Sequence, residues 1–273
     1  MSEQEGGGLA DQVNNAEPIS AHPEKIKEQM DDNNAIIDDL AKKETAYEAV
    51  KKAAADIIAK APNKNDPAIK DMNKKLDKLT GLWNQIQKGT KDRSDSLEDA
   101  LALAEKFWEE LQNVMNNLKQ IQDNLLNQEP PAVEPKAIEA QKNELKNIKK
   151  GIDNTKPVVD KCRQTGKDLI NRVGEPERPE LKRHIEDLDH AWENITAMYA
   201  KREKNLLVAM EKAMEYHDTL QGLLDFLAKA EKKFDNLGPI GSDIDKVKRQ
   251  IGELKDFKDD VDPWMIKVEA LNR

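Results

Sequence analysis

The sequence predicts an all-α protein built from three-helix bundles in tandem, joined by long continuous helices into an elongated rod. Three observations carry that prediction. Apolar residues recur at alternating steps of three and four, the spacing that keeps one stripe of a helix facing its partners. The pattern returns about every 110 residues. Prolines are far apart, leaving stretches of about 60 residues in which nothing stops a helix.

The repeat is legible residue by residue. Trp83 and Trp192 are 109 positions apart, and the same offset carries Leu79 onto Leu188, Ile86 onto Ile195, Arg93 onto Arg202 and Leu97 onto Leu206. Upstream, an offset of 112 carries Pro18 onto Pro130, Ile26 onto Ile138, Gln29 onto Gln141 and Pro67 onto Pro179. A third copy places Val247 and Gln250 where Ile138 and Gln141 stood. Self-similarity at this period is the mark of a tandem array.

Taken in order, Pro23 opens a helix to about Ala61 with the stripe Ile26, Asn33, Ile36, Leu40, Tyr47, Val50 and Ile57. Asp66 before Pro67 combines an N-cap with a proline at the first helical position, and the next proline is Pro130. One helix of about 60 residues follows, roughly 90 Å long. Its stripe runs from Leu76 through Leu79, Trp83, Ile86, Thr90, Arg93, Leu97 and Phe107 to Leu125. Pro135 opens the next helix, to about Val173, with Ile138, Leu145, Ile148, Ile152, Val159, Cys162 and Leu169 in line. Pro179 to Leu237 repeats the long helix and ends at Gly238-Pro239, and a last helix begins near Ser242, with Val247, Leu254, Phe257, Val261, Trp264, Val268 and Leu271 in line. Pro157 and Pro263 fall inside helices and are expected to bend them. Short turns make neighbouring helices antiparallel, and a long helix without a turn must carry the last helix of one bundle into the first of the next.

Composition agrees. Of 273 residues, 36% are charged, 37% hydrophobic and 4% aromatic, too little apolar surface for one large core and enough for narrow stripes. A net charge of -9 disfavours phosphate backbones and anionic membranes as partners. Cys162 is the single cysteine, so no intramolecular disulfide forms, and no apolar run of membrane-spanning length exists. The expectation is a soluble protein of the cytoplasm. Met1 to Gly8, polar and glycine-rich, is set aside as a linker or appended end.

The period, the Trp followed by an Arg and a Leu (Trp83, Arg93, Leu97; Trp192, Arg202, Leu206) and the uninterrupted linker helix resemble the spectrin repeat. Stretches such as Glu17 to Gln29, Ser96 to Leu111, Cys162 to Ile170 and His184 to Glu203 are similar, more narrowly, to rod repeats of spectraplakins, which are giant cytolinkers. The resemblance implies a partial repeat over 1–90 (end of helix A, helices B and C), a complete repeat over 91–200 and a partial repeat over 201–273 (helix A and most of helix B). The partial bundles are then expected to expose apolar stripes, so that a largely monomeric rod can associate through its ends. One departure stands out: the helix-A position that carries a Trp in many spectrin repeats is aliphatic here, around Val114 to Leu118, and Trp108 lies a turn earlier.

No residue is expected to be catalytic, cofactor-binding or metal-binding. His184, Glu186 and His190 offer metal-ligand chemistry, but His184 and His190 are six positions apart and point to different helix faces. Cys162 with His184 has nucleophilic chemistry, yet Cys162 occupies an apolar slot and reads as a packed thiol. Asn194-Ile195-Thr196 matches a glycosylation sequon in mid-helix, and is read as chance. Thr90, Arg93, Tyr199 and Arg202 interrupt the stripe, with the arginine stems expected to cover apolar surface.

The expected function is therefore non-enzymatic: a spacer and tension-bearing segment of a cytoskeletal linker, whose actin- and microtubule-binding ends lie elsewhere in a parent protein. The alternative is a docking scaffold recruiting a signalling or adhesion partner. Separately, Lys136, Lys142, Lys146, Lys149, Lys150 and Lys156 make the second short helix locally basic, able to meet the acidic surface of actin or tubulin tails, although Glu134, Glu139, Glu144 and Asp153 interleave with them. A membrane-curving helical dimer is disfavoured by the acidic charge.

Overall fold

The computed structural model describes residues 3–273, with side chains from Gly7 onward. It consists of α1 (Glu3–Asn14), α2 (Pro23–Lys60), α3 (Pro67–Leu126), α4 (Pro135–Ile170), a 3-10 turn (Glu175–Glu177), α5 (Arg178–Asp235) and α6 (Ile244–Leu271). No strand occurs among the described residues. The chain divides into two compact units: residues up to Gln122 together with Gly151–Thr196, and Asp123–Lys150 together with Ala197–Arg273.

The start signals act as their chemistry requires. Asp66 Oδ1 accepts from the Ala68 N–H at 2.8 Å, and Asp243 Oδ1 accepts from both Asp245 and Lys246 at the head of α6. Pro157 and Pro263 lie within α4 and α6, which continue through them. The glycine-rich N-terminal stretch, set aside as a linker, is helical from Glu3. Leu9 and Ala10, both buried, anchor that helix to a core, and tertiary packing outweighs the roughly 1 kcal/mol that each glycine costs.

The first unit holds two groups of buried side chains. In one, Leu9 and Ala10 of α1 meet Leu40 and Tyr47 of α2 and Trp83 and Ile86 of α3, with Val13, Ile36, Leu79 and Leu82 packed around them. Tyr47 and Trp83 stack 4.1 Å apart and 2° from parallel. Val50 and Ile57, expected in the α2 stripe, are instead about half exposed. The described α1 side chains in this cluster are Leu9, Ala10 and Val13, and neither Val50 nor Ile57 belongs to it.

The other group comprises Leu97, Ala100, Ala104, Phe107 and Val114 of α3, Val159, Cys162 and Leu169 of α4, and Leu181, Ile185 and Leu188 of α5. Here α4 comes close: a Cβ built on Gly166 would stand 2.7 Å from Phe107 and 2.9 Å from Ile185. Outside the stripe, Arg163 of α4 donates to Asp189 of α5 from Nε at 2.8 Å and contacts it from a terminal nitrogen at 2.6 Å.

In the second unit α6 has no buried residue. It lies along α5 through a Phe226–Trp264 stack at 5.0 Å, a Phe234–Phe257 contact at 6.1 Å and a Lys233–Asp260 ion pair at 3.0 Å. Tyr216, Leu220, Leu227 and Phe234 of α5 are exposed, as is Leu254, which periodicity placed in the α6 stripe. Two helices cannot enclose an apolar stripe that needs a third.

Candidate functional site at the turn between α1 and α2

Three turns share one device. Gln29 Nε2 donates to the Pro18 carbonyl at 2.9 Å while its Oε1 accepts from the Ser20 N–H at 3.1 Å. Gln141 repeats this with Pro130 and Ala132, and Gln250 with Pro239 and Gly241. A glutamine one and a half turns into each following helix thus satisfies two backbone groups of a turn whose proline cannot donate, and fixes the turn's shape.

The Pro18 turn does more than its counterparts. The Gly174 N–H donates to the Ile19 carbonyl at 2.9 Å. One carboxylate oxygen of Glu177 accepts from the Ala21 N–H at 3.1 Å and lies 3.4 Å from the Ser20 hydroxyl that donates to it. Trp108 Nε1 donates to the Ala21 carbonyl at 2.8 Å. His22 stacks on the Trp108 indole at 5.1 Å, with Nε2 2.9 Å from Glu180 Oε2. His184 meets the same indole edge-on at 4.9 Å, and its Nε2 is 3.9 Å from the other Glu180 oxygen. Trp108 therefore joins a turn on α2 to the start of α5. Sequence reasoning had only marked its displaced position; the signal available was an indole beside the aliphatic helix-A stripe, with no partner yet in view.

The residues that interrupt the stripe serve the turns as well. Arg93 donates to the Glu17 carbonyl at 2.7 Å, and Arg202 donates to Gln128 Oε1 at 2.8 Å. Burial pushes both guanidinium pKa values down, opposed by Glu17 and Glu144 respectively. Thr90 is buried, its hydroxyl donating to the Ile86 carbonyl at 2.8 Å, and Asn33 Nδ2 donates to the Thr90 carbonyl at 2.9 Å. Tyr199 bonds Glu203 and lies under the Lys149 ammonium.

Of the other candidates, Cys162 is fully buried, and desolvation, reinforced by Glu110 and opposed by Arg163, pushes its pKa up to about 11. An unfolded thiol ionises from about pH 9.0, whereas the folded one holds its proton to about 11, so the folded state loses stability as pH rises through that window. Cys162→Val is expected to show a shallower alkaline fall in stability than the parent chain, measured by denaturant titration from pH 8 to 11; equal slopes would contradict the burial argument. Ile195, the middle of the sequon, is buried within α5. Lysines of the basic face have local partners: Lys142 pairs with Glu139 at 3.3 Å and Lys156 with Asp160 at 3.7 Å. No described helix is long and apolar enough to cross a membrane.

Comparison with known proteins agrees with this architecture. The spectrin-repeat family model matches residues 102–207. Microtubule-actin cross-linking factor 1, isoforms 6/7, of Mus musculus is 33% identical over 255 residues, 93% of this chain and 8% of its own length. The Homo sapiens isoforms 1/2/3/4/5 are 33% identical over the same span, 4% of their length. Utrophin of Rattus norvegicus is 25% identical over 130 residues, 47% of the chain and 4% of utrophin. The chain thus spans less than a tenth of the curated relatives it matches. No solved structure matches it. With its helix-only fold, a continuous α3 and α5, and this similarity along nearly its whole length, the chain belongs to the spectrin repeats of the spectraplakin rod.

Proposed function

We propose that the chain is a spacer and tension-bearing segment within a cytoskeletal linker that joins actin and microtubules through domains elsewhere in a parent protein, working in the cytoplasm. Residues 1–90 act as a partial repeat, 91–200 as a complete one and 201–273 as another partial one. The observation that carries the reading is the continuity of α3 and α5, 60 and 58 residues without a break. A helix of 60 residues is about 90 Å long and transmits tension along its backbone hydrogen bonds from one bundle to the next. Bundles that contact only their neighbours yield one at a time, so extension under load is graded. That the similar proteins are microtubule-actin cross-linking factors supports the assignment of the ends.

Small-angle scattering combined with light-scattering mass tests the reading. A monomer with a maximum dimension beyond roughly 100 Å, longer than α3 alone, is the expected result. A compact particle would overturn it.

A further inference from the structure

The face between the α1–α2 turn and the start of α5 holds a group of side chains that the spacer role does not use. One ligand atom each from His22, Glu177 and Glu180 lies within 4.8 Å of the other two. We infer that these three residues form a binding site for a divalent transition-metal ion of the zinc type, which clips the turn to α5.

Ligand chemistry selects the ion. An imidazole nitrogen beside two carboxylates suits zinc and its first-row neighbours, whereas magnesium and calcium take oxygen-only shells. Zinc bonds of about 2.0–2.2 Å put tetrahedral ligand atoms roughly 3.3 Å apart. The His22–Glu180 pair, at 2.9 Å, is already near that spacing, and small side-chain rotations bring in Glu177. His184 Nε2, 3.9 Å from Glu180, is in reach as a fourth donor.

Electrostatics points the same way. Two carboxylates converge here, and among the described residues neither pairs with a lysine or arginine. Their partners are two histidines and the Ser20 and Ala21 groups of the turn. The ligands are also held in place, as outer contacts hold metal ligands generally. Stacking on Trp108 orients the His22 ring, and the Ala21 N–H fixes one oxygen of Glu177 while leaving the other available. His22 and Glu180 keep 47% and 38% of their side-chain surface exposed, so an ion has access. The turn 112 residues later carries Glu134 in place of His22 and lacks this nitrogen donor.

His22 and Glu180 are 158 residues apart in sequence, so a site made from them exists only in the folded chain, and zinc binding adds stability to that state. Titration of the full chain with zinc chloride by isothermal calorimetry is expected to give one ion per chain in the micromolar range. Magnesium chloride is expected to give no saturable binding. His22→Ala and Glu180→Gln should each weaken zinc binding by about tenfold or more with helical circular dichroism unchanged. His217→Ala, on an exposed face of α5, should leave it intact. Absence of saturable zinc binding overturns the inference, as does equal affinity for magnesium. Undiminished binding in both site variants also overturns it, because the ion then sits elsewhere.

Discussion

Replacing Phe107 with alanine is expected to lower stability by about 3–5 kcal/mol, the range for removing a fully buried aromatic ring from a core that cannot collapse around the gap. Phe107 has no exposed surface and stands where α4 passes closest, with Gly166 set against it and against Ile185. Three helices converge there, and each is held along its length by other buried positions, so none can move in to fill the void. For a unit of this size the loss corresponds to a fall of roughly 10 °C in Tm. Chemical denaturation followed by circular dichroism measures it directly. A change below about 1 kcal/mol would mean that the ring contributes area but not close packing.

Gly174→Val should produce the second large effect, through crowding. The backbone at Gly174, with φ -65° and ψ 155°, is open to any residue; the constraint is space. A Cβ there would stand 2.2 Å from the Pro18 Cβ and 3.1 Å from its Cα, and a proline ring cannot rotate away. The variant must push the turn off the start of α5, losing the Gly174–Ile19 hydrogen bond and straining the Glu177 contacts. Overpacking of this kind costs about 1–3 kcal/mol and sometimes more. Isotope-labelled tryptophan indole N–H signals, with the Trp108 signal assigned by Trp108→Phe, report the turn: Trp108's signal is expected to change at lower denaturant than the helical signal, whereas the two should coincide in the parent chain. Gly151→Ala is the matched control: its position in α4 has nothing within 4 Å, and relief of backbone entropy should stabilise the helix by about 0.5–1 kcal/mol. Coincident transitions in Gly174→Val would show that the turn and α5 are not coupled through this contact.

The two substitutions differ in how visible they were beforehand. Phe107 lies on a stripe that can be followed from Leu76 to Leu125 by counting threes and fours, so its burial follows from periodicity. Helix limits were equally legible, because Asp66-Pro67, Pro135 and Gly238-Pro239 act within a few residues of where they stand. Gly174 carried no such signal. Its importance depends on Pro18, far away in sequence, and short-range patterning has no access to a contact of that span. The same holds for Trp108 and His22, each ordinary in its own helix and joined only when two turns meet. Val50 and Ile57 show the reverse error: periodicity placed them inward, but they stay about half exposed and outside the core cluster of α1, α2 and α3.

Local chemistry in the sequence, then, determined the helices, their stripes, their repetition and the packed state of Cys162, because helix periodicity and capping act over a few residues. Only the tertiary structure decided which stripes are covered, what Trp108 does and that His22, Glu177 and Glu180 converge. Those outcomes depend on how far one helix runs beside another and on which turns touch, and both are set by packing between residues distant in the chain.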